Sequence, residues 1–271
     1  MCASIKATTP HKQEMSVFIE PEYRFTVFAG RKRMVSCQAT NSLIITHPDG
    51  KIKETVTADF QMPQGIVFLE KTGEFFVVDR YSGCVKVFLK NKKESTLEFT
   101  RSFGEGILNQ PVGIVLDKDR HVLYVADNEN HRIVAFKVTG TLLRTLGDGY
   151  GQKPGQMFCP CGVASYKNLI VIAEWGNGRL QMFNDGKSVL VINGMPHAHD
   201  IIINEEGEGY VALYSHKALA KFKITFNDDA SPCFELCADR IQLEYNPTSL
   251  FFDEDGKLGV VTKTKLLKNV S

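Results

Sequence analysis

The stretch "QPVGIVLDKDRHVLYVADNENHRIVAF", residues 110–136, contains three short apolar runs separated by turn residues. Pro111 and Gly113 lie at the start of the first run, Asp127 ends the second, and an Asn-His-Arg triplet leads into the third. Runs rich in β-branched and aromatic residues are typical of strands, and no long window of the chain has the 3.6-residue apolar period of helices. The stretch therefore predicts short strands joined by turns.

This pattern repeats along the chain. Residues 62–88 and 159–183 align with it, and their prolines Pro63 and Pro160 lie 48 residues before and 49 residues after Pro111. Three weaker copies occupy residues 23–58, 199–224 and 246–270. A period of about 40–50 residues, with three or four strands in each unit, is the signature of β-propeller blades. We therefore predict an all-β, six-bladed β-propeller.

The two ends of the propeller are predicted to meet. The last unit stops after its third strand, near Val270, and the segment "MSVFIE" at residues 15–20 offers a spare strand ahead of the first unit. A ring leaves no open sheet edge if this N-terminal strand completes the last blade. The predicted domain is residues 15–271, and residues 1–14 are predicted to be a flexible segment.

The order Pro-x-Gly, apolar strand, Ala-Asp and Asn-His-Arg-Ile-x-x-Phe resembles the NHL repeat. The third unit matches this pattern most closely, while the second unit ("DRYSGCVKVF") and the fourth ("EWGNGRLQMF") lack the triplet. The best-known proteins with this repeat are the TRIM-NHL proteins, whose propellers bind RNA or partner proteins and repress messenger RNAs after transcription. The resemblance implies a non-catalytic module for cytoplasmic, post-transcriptional regulation such as translational repression.

Some activities of TRIM-NHL proteins are not expected of these residues. The zinc ligands of a RING and of B-boxes are absent from these residues, so ubiquitin ligation is expected only if the chain is a fragment of a longer protein. No coiled coil is evident, and we expect a monomer.

Composition supports an intracellular binding protein. The formal net charge is +1, so a nucleic-acid site must be a local patch. No apolar run reaches the length of a membrane span, and residues 1–15 lack the apolar core of a signal peptide. The seven cysteines lack paired C-x-x-C spacing and are expected to be free thiols in a reducing compartment. We expect cytoplasmic localisation, no cofactor, no membrane and no DNA.

Acids and glycines that recur at the repeat period are predicted to be structural. Asp79, Asp127 and Glu174 end the second strand of their units, where a carboxylate can bind turn amides. The Pro-x-Gly glycines are expected to allow a close approach of backbones.

The topology of the predicted blades gives the propeller two faces with different residues. Turns between second and third strands, and linkers to the next unit, emerge on one face, which we call the first rim. The side chains predicted there to bind single-stranded RNA or a protein partner are Arg80, Tyr81, Asn130, His131, Arg132, Tyr150, Lys153, Phe158, Trp175, Asn177, Arg179, His197, Tyr214, His216, Lys217 and Lys263. The opposite face, the second rim, carries the acids Glu70, Asp117, Asp119, Glu205, Glu206, Glu208, Asp253, Glu254 and Asp255. The first rim is therefore predicted to be basic and aromatic, and the second rim acidic.

Aromatic rings interleaved with cations suit single-stranded RNA, because bases stack on rings while cations contact phosphates. The same residue types form protein hot spots, so a protein-interaction propeller is the alternative. A third reading is a metal-dependent lyase, because an amidating lyase with metal-bound histidines shares this type of propeller. His197 and His199, with His131 and His216, are its candidate ligands. We predict no metal, because no catalytic base is evident.

Overall fold

The computed structural model describes residues 15–16, 23–29, 32–47, 51–91, 96–262, 266–268 and 270. The predicted flexible segment 1–14, residues 17–20 of the predicted closing strand, and Lys263 lie outside these residues. No helix in the described part of the chain is long and apolar enough to cross a membrane.

The fold is all-β and consists of antiparallel four-stranded sheets. The first contains β2 (Tyr23–Ala29), β3 (Lys32–Cys37), β4 (Ser42–Thr46) and β5 (Ile52–Val56). The second contains β6 (Pro63–Leu69), β7 (Glu74–Asp79), β8 (Cys84–Lys90) and β9 (Leu97–Phe103). The third contains β10 (Ile114–Asp117), β11 (Val122–Asp127), β12 (Arg132–Lys137) and β13 (Leu142–Leu146).

Three further sheets follow in the same order. The fourth contains β14 (Pro160–Tyr166), β15 (Leu169–Glu174), β16 (Arg179–Asn184) and β17 (Lys187–Asn193). The fifth contains β18 (Ala198–Ile203), β19 (Glu208–Leu213), β20 (Ala218–Phe226) and β21 (Pro232–Gln242). The sixth contains β22 (Pro247–Phe252), β23 (Leu258–Thr262), β24 (Leu266–Lys268) and β1 (Met15–Ser16).

The only helical elements among the described residues are two short 3₁₀ turns, Asn128–Asn130 and Tyr214–His216. Both lie between the second and third strands of their sheets. The element types predicted from the repeat are therefore confirmed.

The hydrophobic core lies between neighbouring sheets. One cluster of buried side chains fills each interface from the first sheet to the sixth, and a further cluster joins Val35 and Ile44 of the first sheet to Phe251 and Val261 of the sixth. The first strands also contact one another in sequence order, and β22 contacts β2. The third strands of the middle sheets each bury one phenylalanine completely at the same repeat position: Phe88, Phe136, Phe183 and Phe222.

The repeated glycines lie where first strands of adjacent sheets meet. A Cβ atom on Gly113 would lie 2.3 Å from the carbonyl oxygen of Cys161, and one on Gly65 would lie 2.8 Å from that of Val112. Both separations are shorter than van der Waals contact, so no side chain fits at these positions. This bears out the close backbone approach expected from the Pro-x-Gly pattern.

Candidate functional site

Asn130 and His131 of the triplet lie in a four-residue turn on the first rim, and Arg132 begins the strand that follows. The polar groups of Asn130 and Arg132 hold that turn. Asp127 is fully buried, and its carboxylate accepts hydrogen bonds from the Asn109 backbone N–H (2.6 Å), Asn130 Nδ2 (2.9 Å) and Arg132 Nε (2.8 Å). Arg132 also donates to the Ile107 carbonyl oxygen at 2.8 Å. The carboxylate therefore joins the turn to the linker that precedes its own sheet.

The neighbouring units use the same arrangement. Glu174 is fully buried and accepts hydrogen bonds from Asn177 Nδ2 (2.6 Å) and Arg179 Nε (2.9 Å), while Asp79 accepts from Lys86 Nζ at 2.9 Å. Arg179 is only 4% exposed and also donates to linker carbonyl oxygens. The structural role predicted for the repeated acids is thus seen in all three units.

This geometry also bears on the predicted RNA contacts. Asn130, Arg132, Asn177 and Arg179 direct their polar atoms at buried carboxylates and at linker backbone. The geometry therefore favours a structural role for these four side chains over the direct contact with RNA that the sequence suggested.

His131 occupies the last position of its turn with φ of 54°, in the left-handed region. The equivalent positions in the second and fourth units are Gly83 and Gly178, both with φ of 60°. The His131 ring lies 5.1 Å from that of Tyr150 and 5.6 Å from that of Phe158, measured between ring centres. The His131 ring thus forms an aromatic group with Tyr150 and Phe158.

Several of the remaining predicted side chains are exposed on the first rim. Tyr81 and Tyr150 are 61% and 64% exposed, and the Arg80 guanidinium lies 6.0 Å from the centre of the Tyr81 ring. The other exposed members are Lys153, His197, His216 and Lys217.

A pocket of about 360 Å³ opens on the first rim where the sheets converge. Two sets of equivalent repeat positions line it. The first is the middle residue of Pro-x-Gly and its counterparts: Gln64, Val112, Cys161 and His199. The second is the residue directly after the second strand: Arg80, Asn128, Trp175 and Tyr214. Glu129 and Cys159 complete the lining.

Aromatic rings form one wall of this first-rim pocket. The Trp175 ring centre lies 5.5 Å from that of Tyr214 and 5.7 Å from that of His199, and the exposed His197 ring lies 4.8 Å from it. His199 is buried, with its Nδ1 atom 2.8 Å from the Thr248 carbonyl oxygen. Among the described residues, no three His, Cys, Asp or Glu side chains are grouped so that they could hold a metal ion.

Sequence reasoning did not identify Gln64, Asn128, Glu129 or Cys159 as site residues. A usable signal existed in the repeat alignment. The middle residue of Pro-x-Gly varies between units, while the residues on either side of it recur. Residues at equivalent positions on the first strands of a propeller face the same central region, so this variable position could have been predicted to line a site.

A second cavity, of about 310 Å³, lies along the first strands and includes Asp200. Asp200 replaces the repeated glycine in the fifth unit and accepts hydrogen bonds from the backbone N–H groups of Ile201 and Leu250, both at 2.9 Å. Burial raises the pKa of its carboxyl to about 6, although these hydrogen bonds lower it. The buried carboxylate of Asp200 therefore joins the fifth sheet to the sixth by a hydrogen bond.

The charge of the first rim differs from the predicted basic character. Its turns and linkers carry five exposed acids: Asp59, Glu105, Glu129, Asp148 and Glu244. The cations that are not paired with a carboxylate, within the part of this rim that the structure describes, are Arg80, Lys153 and Lys217. The prediction did not include these five acids. With them, the described part of the first rim is aromatic but not predominantly basic.

Comparison with known proteins identifies the repeat. The NHL repeat model matches residues 60–88 and 108–136, the second and third units. These two units match the NHL repeat. The human NHL repeat-containing protein 2 is 33% identical over 100 residues, which cover 34% of this chain and 14% of the human protein. The chicken protein of the same name is 30% identical over 100 residues, with the same coverage. The matched part of the chain thus spans about one seventh of these relatives.

Solved structures share the propeller-like fold of these NHL repeats. A structure of virginiamycin B lyase from Staphylococcus aureus with quinupristin has a TM-score of 0.64 at 12% identity, covering 95% of this chain and 99% of the lyase. A nidogen/laminin complex has a TM-score of 0.63 at 16% identity, covering 90% of this chain and 82% of that chain. At such low identity the likeness shows the fold alone. The resemblance to TRIM-NHL proteins in particular stays a prediction.

Proposed function

We propose that the six sheets form a closed six-bladed propeller of the NHL type, with β1 completing the last blade. The pairing of Met15 with Leu267 and the core cluster shared by the first and sixth sheets support this. A variant that lacks residues 1–16 is expected to unfold at lower denaturant concentration than one that lacks residues 1–12, because only the former loses the paired strand. Equal midpoints for the two truncations would contradict the closure.

We infer that this propeller is a non-catalytic binding module whose first rim captures a segment of a partner protein. The observation that carries this proposal is the exposed pair Tyr81 and Tyr150 on the rim that also holds the aromatic pocket. Exposed tyrosines are typical anchors of protein interfaces, because they combine a large apolar surface with a polar end.

The chemistry of the pocket supports a binding role. Its Cys159 thiol has a raised pKa, first because of desolvation and then because of the nearby Glu129 carboxylate. A cysteine nucleophile requires the thiolate, which this environment disfavours.

The charge of the first rim favours protein over RNA. Phosphates would meet the five exposed acids of its turns and linkers, whereas a protein segment can pair with both signs of charge. Single-stranded RNA is the second candidate, because Arg80 beside the exposed Tyr81 suits a stacked base and its phosphate. Cytoplasmic translational repression in the manner of TRIM-NHL proteins would be the role of that second candidate.

Selection from a random peptide library and from a random RNA pool, each on the immobilised protein, tests the proposal. Selected peptides are expected to bind Tyr81→Ser and Tyr150→Ser variants at least about tenfold more weakly, as for anchor residues. Phe99→Ser is the matched control, since Phe99 is 51% exposed on the outer strand β9 and not on the rim.

The outcomes separate the two candidates. Peptides whose binding depends on the two tyrosines but not on Phe99 support the protein-binding role. RNA ligands that weaken steeply with salt and fail with Arg80→Gln would replace it with RNA binding. Ligands of either kind that are indifferent to the rim variants would contradict both candidates.

A further inference from the structure

One residue that lines the first-rim pocket has a buried polar atom with no hydrogen-bond partner among the described residues. Gln64 is 2% exposed, it lines the pocket, and its side-chain nitrogen makes no hydrogen bond with the part of the chain that the structure describes. Buried amide donors in folded proteins are nearly always bonded, so this one calls for an acceptor supplied from the pocket.

Two opposite charges also line the pocket without pairing. Arg80 donates from Nε and Nη2 to the neutral Gln110 Oε1 atom, at 3.2 Å and 3.0 Å, so its charge is not compensated by that contact. Neither Arg80 nor Glu129 forms an ion pair within the described residues, although both lie close enough to Cys159 to influence its thiol, in opposite directions. The pocket is thus lined by both a cation and an anion.

The wall between these polar groups is apolar and aromatic. Trp175 and Tyr214 pack with their ring planes inclined at 55°, and the volume of about 360 Å³ falls in the range of small-molecule sites. A ligand that satisfies all three features needs a carboxylate or similar acceptor, a cationic donor, and an apolar body.

We propose that this pocket binds a small dipolar molecule of the α-amino acid class with an aromatic or large apolar side chain. The carboxylate accepts hydrogen bonds from Gln64 and Arg80, the ammonium group pairs with Glu129, and the side chain packs on Trp175 and Tyr214. This goes beyond the proposed function, because the ligand is a small molecule and its binding does not require a macromolecular partner on the surrounding rim.

The intrinsic fluorescence of the protein offers a direct assay, because Trp175 is the only tryptophan in the chain. The full chain is titrated with L-phenylalanine, with phenethylamine, which lacks the carboxylate, and with 3-phenylpropanoate, which lacks the ammonium group. Saturable quenching by L-phenylalanine is expected, with both analogues binding at least about tenfold more weakly, since each loses a charge-assisted contact.

Two variants assign the contacts. Glu129→Gln is expected to weaken L-phenylalanine to the level of 3-phenylpropanoate without changing the affinity for 3-phenylpropanoate itself. Gln64→Leu is expected to weaken both carboxylates but not phenethylamine. Glu105→Gln is the matched control, because Glu105 is an exposed acid on the same rim outside the pocket lining. Thermal unfolding of each variant confirms that it is folded.

The proposal is overturned if L-phenylalanine and the other common amino acids give no saturable change in Trp175 fluorescence up to about 10 mM, a concentration at which even weak specific sites fill. Equal binding of the three ligands, or equal effects of the Glu129 and Glu105 variants, would also overturn it. The tyrosines that test the rim do not line the pocket, so failure here is separate from failure of the protein-binding proposal.

Discussion

The Asp200 carboxyl predicts a specific dependence of stability on pH. Its pKa is raised from 3.8 to about 6 by burial in the cavity along the first strands. In the unfolded chain Asp200 loses its proton near pH 4, whereas in the folded protein it retains the proton until about pH 6. Between these values the unfolded state binds fewer protons, so the free energy of unfolding falls as pH rises. The stabilisation from protonated Asp200 is fully present below pH 4 and is lost as pH rises through 6.

The magnitude follows from the shift. One pKa unit corresponds to about 1.4 kcal/mol, so the part of the shift sampled between pH 4.5 and pH 7.5 amounts to about 2 kcal/mol. Urea denaturation across this range measures it as the difference between wild type and Asp200→Asn, a substitution that retains an acceptor for the Leu250 N–H. Wild type should gain about 2 kcal/mol relative to the variant as the pH is lowered.

Asp228→Asn serves as the control, because Asp228 is exposed in a turn of the second rim and should leave the pH dependence unchanged. Parallel curves for wild type and Asp200→Asn would refute the reasoning, since they would show that the buried carboxyl titrates alike in the folded and unfolded states. A gain of stability with rising pH would refute the sign.

Three further outcomes test the framework. Gly113→Ala places a Cβ atom 2.3 Å from a carbonyl oxygen of the adjacent first strand, and should destabilise the protein by about 1–3 kcal/mol in urea denaturation. Glu174→Ala leaves the buried Arg179 guanidinium without its carboxylate and should lower the free energy of unfolding by about 3–5 kcal/mol. A loss as small as that of a surface substitution would contradict the buried pair. Burial is the main reason that the pKa of the Cys84 thiol is raised to about 12. In native protein at pH 8, an alkylating reagent should therefore modify the exposed Cys237 and not Cys84, as peptide mass spectrometry would show.

Much of the fold could be predicted from the sequence, because each unit repeats the positions that geometry constrains. The glycines recur where first strands of adjacent sheets meet, and the acids recur where a turn and a linker need a common acceptor. These constraints are local and act in every unit, so they leave a periodic signal in a single sequence.

The sequence analysis did not predict that Arg132 and Arg179 pair with buried acids, although a signal was present. A four-residue turn makes its flanking residues cross-strand neighbours, and the structure pairs Asp127 with Arg132 and Glu174 with Arg179. An acid and an arginine five residues apart across such a turn therefore neutralise each other. The composition of the turns alone could not show this, and it led to an overestimate of the positive charge of the rim.

The first-rim pocket depends on equivalent residues of four units that lie 38 to 49 residues apart in the sequence and meet only because neighbouring sheets pack against one another. Its lining positions are equivalent by repeat but occupied by different residues, such as Gln64, Val112, Cys161 and His199. The backbone of the repeated units is thus similar, whereas the side chains that line the pocket differ from unit to unit. A ligand in this pocket would meet a cation at Arg80 and an aromatic ring at Trp175, so a ligand turned by one unit would meet different contacts. The pocket can therefore hold an asymmetric ligand in a single orientation, which the two singly charged analogues of phenylalanine test from opposite ends.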